Sequence, residues 1–230
     1  MPLTAERFEQ PITRTVRLDY LLSLPAGYGD EPERRWPLIL FLHGAGERGD
    51  DINRVRTHGI PKVVDAGAEV PFITVSPQCP MGTLWAAQLD SLDALLQEIL
   101  ARHAVDTASV YLTGLSMGGN GTWHFAAAYP DRFAAIAPVC GWGDFFAGFP
   151  ERVCLLKHVP VWAFHGAQDT VVPLAGSQVL VDKILECGGD VRLTIYPDAA
   201  HDSWTETYDN PELYTWFLSH TTTGNTASHS

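Results

Sequence analysis

The chain has 230 residues, 46% of them hydrophobic and 18% charged, with 20 glycines, 16 prolines and a formal net charge of −12. That length and composition suit one folded domain with a buried sheet and exclude an intrinsically disordered chain. The acidic balance repels nucleic-acid phosphates and anionic membrane surfaces, which are held mainly by lysine and arginine, so neither is expected as a partner.

No segment approaches the ~20 apolar residues of a membrane span, and the first ten residues lack a cationic stretch followed by an apolar run, so a cytoplasmic location is expected. The four cysteines, Cys79, Cys140, Cys154 and Cys187, form no C-x-x-C pair. Neither a zinc knuckle nor a redox motif is indicated, and buried free thiols are expected rather than disulfides.

Along the chain, Val16, Leu18, Tyr20, Leu22 and Leu24 alternate with mostly polar neighbours. This is the pattern of an antiparallel strand with one wet face, added to an edge of a sheet. From Trp36 onward apolar runs alternate with helical patterns, which predicts a mostly parallel central sheet with helices on both faces. The first run, 37–43, leads into His43-Gly44-Ala45-Gly46, where glycines let the backbone approach a ligand. The following Glu47-Arg48-Gly49-Asp50-Asp51 reads as a solvated loop whose Arg48 could meet an acidic substrate. A second strand is predicted at 71–76, with Trp85 beyond it. Leu92, Leu95, Leu96, Ile99 and Leu100 then recur at the spacing of a helix that buries one stripe.

The strand predicted at 109–114 ends in Gly114-Leu115-Ser116-Met117-Gly118, and a helical stretch follows as far as Pro130. A G-x-S-x-G turn between strand and helix swings the chain sharply and leaves its serine in a strained conformation, so Ser116 is the candidate nucleophile. Gly119 and Gly121 let that helix pack closely. Further strands are predicted at 134–139, 159–166 and 192–196. Asp169 falls just past the second of these and His201 just past the third, at the carboxyl edge where open α/β sheets place their sites. Val181, Ile184 and Leu185 suggest a helix closed by Gly188. Asn210 and Pro211 look like an N-cap and first residue of a last helix carrying Leu213, Trp216 and Phe217. One domain over 1–220 is expected, and 221–230, rich in Ser and Thr, reads as an unfolded tail whose His229 is no site candidate.

A serine hydroxyl needs a base within hydrogen-bond reach and an acid to orient that base. Ser116, Asp169 and His201 come in the order Ser, acid, His, with spacings of 53 and 32 residues. Asp144, after the preceding strand, competes with Asp169 for the acid, and Asp169 is preferred because its loop matches the triad context. His165 falls inside a strand pattern and reads as buried and hydrogen-bonded, while Asp198 and Asp202 serve the turn around His201. The tetrahedral oxyanion of acyl transfer needs two backbone donors. Met117 N–H, next to the nucleophile, is one; Ala45 N–H is the choice for the other, with Gly46 the fallback. Trp142, Phe145, Trp204 and Trp85 are candidate pocket walls, and each could equally be core. No cofactor and no metal are called for.

The H-G-A-G loop, G-L-S-M-G-G turn, G-A-Q-D-T-V-V-P acid loop and His201 together resemble an α/β-hydrolase over Leu18 to Ser219. More narrowly, the stretch from Ile99 through Gly119, with Gly121-Thr122-Trp123 after it, resembles the small phospholipase/carboxylesterase and predicted-peptidase relatives. The resemblance implies a serine esterase without a large cap, because the segment from Val139 to Val159 is too short to form one. Epoxide and haloalkane hydrolases, which carry aspartate where Ser116 stands, fit less well. The expected substrate is a small carboxylic ester with a short or compact acyl group. Peptidase and thioesterase chemistry would use the same residues, and a ligand-binding protein on a hydrolase fold is the rival from another class. Neither the natural ester nor the oligomeric state is legible.

Overall fold

The computed structural model describes residues 3–222. Seven strands form one sheet: β1 Tyr20–Ser23, β2 Trp36–Leu42, β3 Ile73–Pro77, β4 Val105–Leu115, β5 Ala135–Val139, β6 Val161–Gly166 and β7 Val191–Tyr196. Their order is β1-β3-β2-β4-β5-β6-β7. Only β1 runs antiparallel, pairing with β3 from Tyr20↔Pro77 to Ser23↔Thr74. The edge strand read from the alternation at 16–24 is therefore present but four residues long.

The residues of β2 show how the sheet acquires two faces. Successive side chains of a strand point to opposite sides. Leu38, Leu40 and Leu42 enter one core with Leu92, Leu96 and Ile99 of α2 Leu89–Arg102, Phe125 of α3 Met117–Ala128 and Val181 of α4 Ala175–Glu186. Ile39 and Phe41 enter the other. There they meet Ile60 of α1 Gly59–Asp65, Tyr208 of α5 Trp204–Asp209, and Leu213 and Phe217 of α6 Pro211–Leu218. The Asn210 side chain accepts the Glu212 N–H at 2.9 Å, the cap expected for α6.

Between β5 and β6 lie only two 3-10 turns, Phe145–Ala147 and Glu151–Leu156, so no large cap covers the carboxyl edge there. The expectation of four free thiols is corrected: Cys154 and Cys187 form a disulfide that ties the second turn to the end of α4, while Cys79 and Cys140 are free and buried. Thr222 N–H donates to Ala108 O at 2.9 Å, so chain order persists past 220. The rest of the expected tail, 223–230 with His229, lies outside the described residues.

Candidate active site

Ser116 occupies the turn from β4 to α3 with φ 53° and ψ −115°. A non-glycine residue at such a φ is strained and persists only where its surroundings hold it. Its N–H is held by Val139 O at 2.9 Å and lies 3.3 Å from Cys140 Sγ. The flanking glycines make the turn possible. A methyl on Gly114 would sit 2.5 Å from Gly118 O, and one on Gly118 would overlap the Leu42 carbonyl.

β6 and β7 end side by side, which brings their following loops together. His201 Nδ1 lies 2.7 Å from Asp169 Oδ2, and His201 Nε2 lies 2.9 Å from Ser116 Oγ. A carboxylate only accepts, so Nδ1 carries a proton and Nε2 is left free to take the serine hydroxyl proton. Asp169 Oδ1 accepts the N–H groups of Val171 and Val172, each at 2.9 Å. Burial pushes the Asp169 carboxyl up, but the hydrogen bonds from His201, Val172 and Val171 outweigh it and leave the group below its ordinary value. Asp169 thus stays ionised where it can hold the imidazole.

Asp144 is engaged elsewhere. It accepts Asn120 Nδ2 at 2.9 Å and Trp142 Nε1 at 3.2 Å, and lies 2.8 Å from His124 Nε2. His165 is buried as expected, with Nδ1 2.8 Å from Ser177 Oγ and Nε2 2.8 Å from Val172 O.

Ala45 opens a 3-10 turn after β2, Ala45–Glu47, and Met117, the residue after Ser116, opens α3. The first N–H groups of a helical segment lack internal acceptors and remain available to an anion. Arg48 differs from its reading as a contact for acidic substrates. Its Nε donates to Ala45 O at 3.0 Å and its Nη1 to Thr83 O at 3.1 Å, so the guanidinium braces the loop. Gln78 Nε2 donates to both Glu47 O and Asp51 O at 2.8 Å.

The four aromatic wall candidates divide. Trp204 stands edge-on to the His201 ring at 5.1 Å, beside the site. Trp142 is half-buried above Asp144. Phe145 is 80% exposed and encloses nothing. Trp85 is a correction: it is fully buried, packed edge-on against His43 at 5.0 Å, and supports the loop from beneath. Sequence reasoning missed Cys140, whose φ of 40° and proximity to the Ser116 N–H leave no mark in residue pattern. Cys140, Asp169 and His201 offer ligand atoms within 4.8 Å of one another. Burial pushes the Cys140 thiol up to about 12, and the other two groups are already bonded to each other.

The family model described as phospholipase/carboxylesterase matches residues 83–211, a span that holds Ser116, Asp169 and His201. The chain belongs to the phospholipase/carboxylesterase family. As an α/β-hydrolase of that family it is similar to a probable feruloyl esterase C of Aspergillus terreus, 25% identical over 175 residues, 74% of this chain and 62% of that one. It is also similar to a bifunctional acetylxylan esterase/xylanase of Neocallimastix patriciarum, 29% identical over 141 residues, 59% of this chain and 20% of that one. Among solved structures, that of a thermostable esterase superposes with a TM-score of 0.76 at 34% identity, covering 90% of this chain and 60% of the other. The chain thus spans less than two thirds of each of these relatives.

Proposed function

We propose that this phospholipase/carboxylesterase family member hydrolyses carboxylic esters of short or compact acyl groups through an acyl-enzyme on Ser116. The observation that carries the reading is the continuous line from Ser116 Oγ to His201 at 2.9 Å and from His201 to Asp169 at 2.7 Å. As Oγ attacks the ester carbonyl carbon, His201 Nε2 takes the hydroxyl proton and the imidazolium is stabilised by Asp169. The carbonyl oxygen becomes an oxyanion and turns to the N–H groups of Ala45 and Met117. Collapse of the intermediate breaks the bond to the alcohol oxygen, which leaves with the proton from His201. Water then gives a proton to His201 and attacks the acyl carbon, and the acid departs as Ser116 regains its hydrogen.

The short segment between β5 and β6 supports the compact acyl group, since it builds no lid over a long acyl channel. Phe145 does not contribute to this argument, because it faces solvent. No helix of the described residues is long and apolar enough to cross a membrane. The Cys154–Cys187 disulfide favours an oxidising compartment over the cytoplasmic location expected from the sequence.

The test is kcat/KM for p-nitrophenyl acetate, butyrate, octanoate and palmitate below their solubility limits, beside matched thioester and amide substrates. The expected result is an optimum at acetate or butyrate with esters preferred. Each buried methylene can add about 0.8 kcal/mol, so a long channel would instead raise the rate steadily with chain length. An optimum at octanoate or beyond overturns the compact site, and an amide preference overturns the esterase.

A further inference from the structure

A backbone N–H serves a developing oxyanion only if its peptide plane is held with that edge toward the reacting carbonyl. In a trans peptide the C=O of one residue and the N–H of the next point in opposite directions. Anchoring the Gly44 carbonyl therefore fixes the direction of the Ala45 N–H. The Gly44 oxygen lies 2.6 Å from His43 Nδ1. Across the same ring, the Cys79 N–H donates to His43 Nε2 at 2.9 Å. A backbone N–H can only donate, so Nε2 carries a lone pair and the ring proton sits on Nδ1, where the Gly44 carbonyl accepts it.

The rest of the ring's surroundings hold it in place. It is buried edge-on to Trp85 at 5.0 Å, and Trp85 Nε1 donates to the His43 carbonyl at 2.9 Å. A methyl on Gly121 would meet Trp85 Cβ at 2.5 Å, so glycine in α3 lets this tryptophan lie under the loop. A methyl on Gly44 would lie 2.9 Å from Leu115 Cδ1, so the anchored peptide sits against the residue that precedes Ser116. Glu47 Oε2, at 3.8 Å from Nδ1, is too distant to compete for the proton. Burial pushes the His43 imidazole down to about 4, which keeps it neutral in the tautomer that the two hydrogen bonds require.

We propose that His43 is a positioning residue for the oxyanion hole, its Nδ1–H holding the Gly44–Ala45 peptide so that the Ala45 N–H faces the carbonyl oxygen of a substrate at Ser116. This rests on the reading of Ala45 and Met117 as oxyanion donors. His43 touches no substrate; it acts through the peptide.

Two substitutions separate this role from packing. Asparagine places an amide nitrogen near the Nδ1 position and can keep the bond to Gly44 O. Glutamine reaches the Nε2 position and can keep the Cys79 contact while losing the donor to Gly44. The expected result is that His43→Gln lowers kcat about 100-fold with KM changed by less than about threefold, the size of effect of removing one oxyanion donor, while His43→Asn stays within about tenfold of the wild type. Equal activity of the two variants, or a loss that lies in KM, overturns the proposal. Nitrogen-15 NMR of the wild-type ring at about pH 7 gives a measurement independent of how the variants fold: the proton is expected on Nδ1, and a proton on Nε2 overturns the proposal. Ser116→Ala is assayed in parallel. An inactive Ser116→Ala beside a fully active His43→Gln defeats the role of His43 alone, whereas an active Ser116→Ala defeats the esterase reading itself.

Discussion

Asp169 Oδ2 stands 2.7 Å from His201 Nδ1, and the other oxygen of the same carboxylate is occupied by two backbone N–H groups at 2.9 Å. The acid is thus fixed on both sides, and it can orient the imidazole without turning.

Replacing that carboxylate by an amide puts a donor where His201 needs an acceptor. Asp169→Asn is expected to lower kcat by about 10³- to 10⁴-fold, by analogy with the loss of the acid from other serine triads. Asp144→Asn is expected to cost less than about tenfold, because Asp144 serves Asn120, His124 and Trp142 instead. Steady-state kinetics on one soluble ester, with both variants shown to be folded by circular dichroism, checks the ranking. The reverse order would move the acid to Asp144.

Acid should weaken the fold partly through His43. Its folded value of about 4 lies below the ordinary 6.5, chiefly because burial penalises the charged ring, with Arg48 adding to the fall and the Gly44 carbonyl opposing it. Between those two values the unfolded chain binds the proton and the folded one does not, so stability falls as pH is lowered through that window, by about 3 kcal/mol once it is crossed. Asp169 also loses its contribution in acid, but only below its ordinary value of 3.8, because its folded value is depressed. Urea unfolding at about pH 7, 5.5 and 4 for wild type and His43→Asn measures the effect. A wild-type fall no larger than that of His43→Asn would remove His43 as a cause.

The Cys154–Cys187 disulfide closes a loop with a sequence separation of 33 residues. Loop-closure entropy for that length corresponds to about 3–4 kcal/mol of stability. The double variant Cys154→Ser/Cys187→Ser is expected to unfold at lower urea concentration, its unfolding free energy smaller by that amount, with turnover retained, since the bridge joins the turn before β6 to the end of α4. An unchanged midpoint would show that the bridge adds nothing to stability.

Much of this arrangement is legible in the sequence, for reasons that differ from residue to residue. Ser116 is marked by glycines that sterics demand at fixed offsets, and Asp169 and His201 follow strands whose carboxyl ends must lie together in a parallel sheet. Both Asp169 and Asp144 follow strands, and only the G-A-Q-D-T-V-V-P loop favours Asp169 in the sequence; the hydrogen-bond partners of the two carboxylates agree with that choice. Trp85 looks like a pocket wall because a chain pattern does not tell which side of a loop an aromatic packs against. The disulfide is hidden for a similar reason, as only the path of α4 brings the two Cα atoms to 5.5 Å. Helices α1 and α5, of seven and six residues, are too short to show a periodic stripe.

If Ser116 is the nucleophile, a reagent that reacts with activated serines is captured on it. The wild-type protein is incubated with a fluorophosphonate and examined by intact mass and peptide mapping, with Ser116→Ala treated alike and both assayed for ester hydrolysis. One phosphonyl adduct per chain is expected on Ser116 and none on the variant, with a kcat in Ser116→Ala lower by about 10⁴-fold or more. An adduct on another residue, or near wild-type turnover by Ser116→Ala, would contradict Ser116 as the nucleophile.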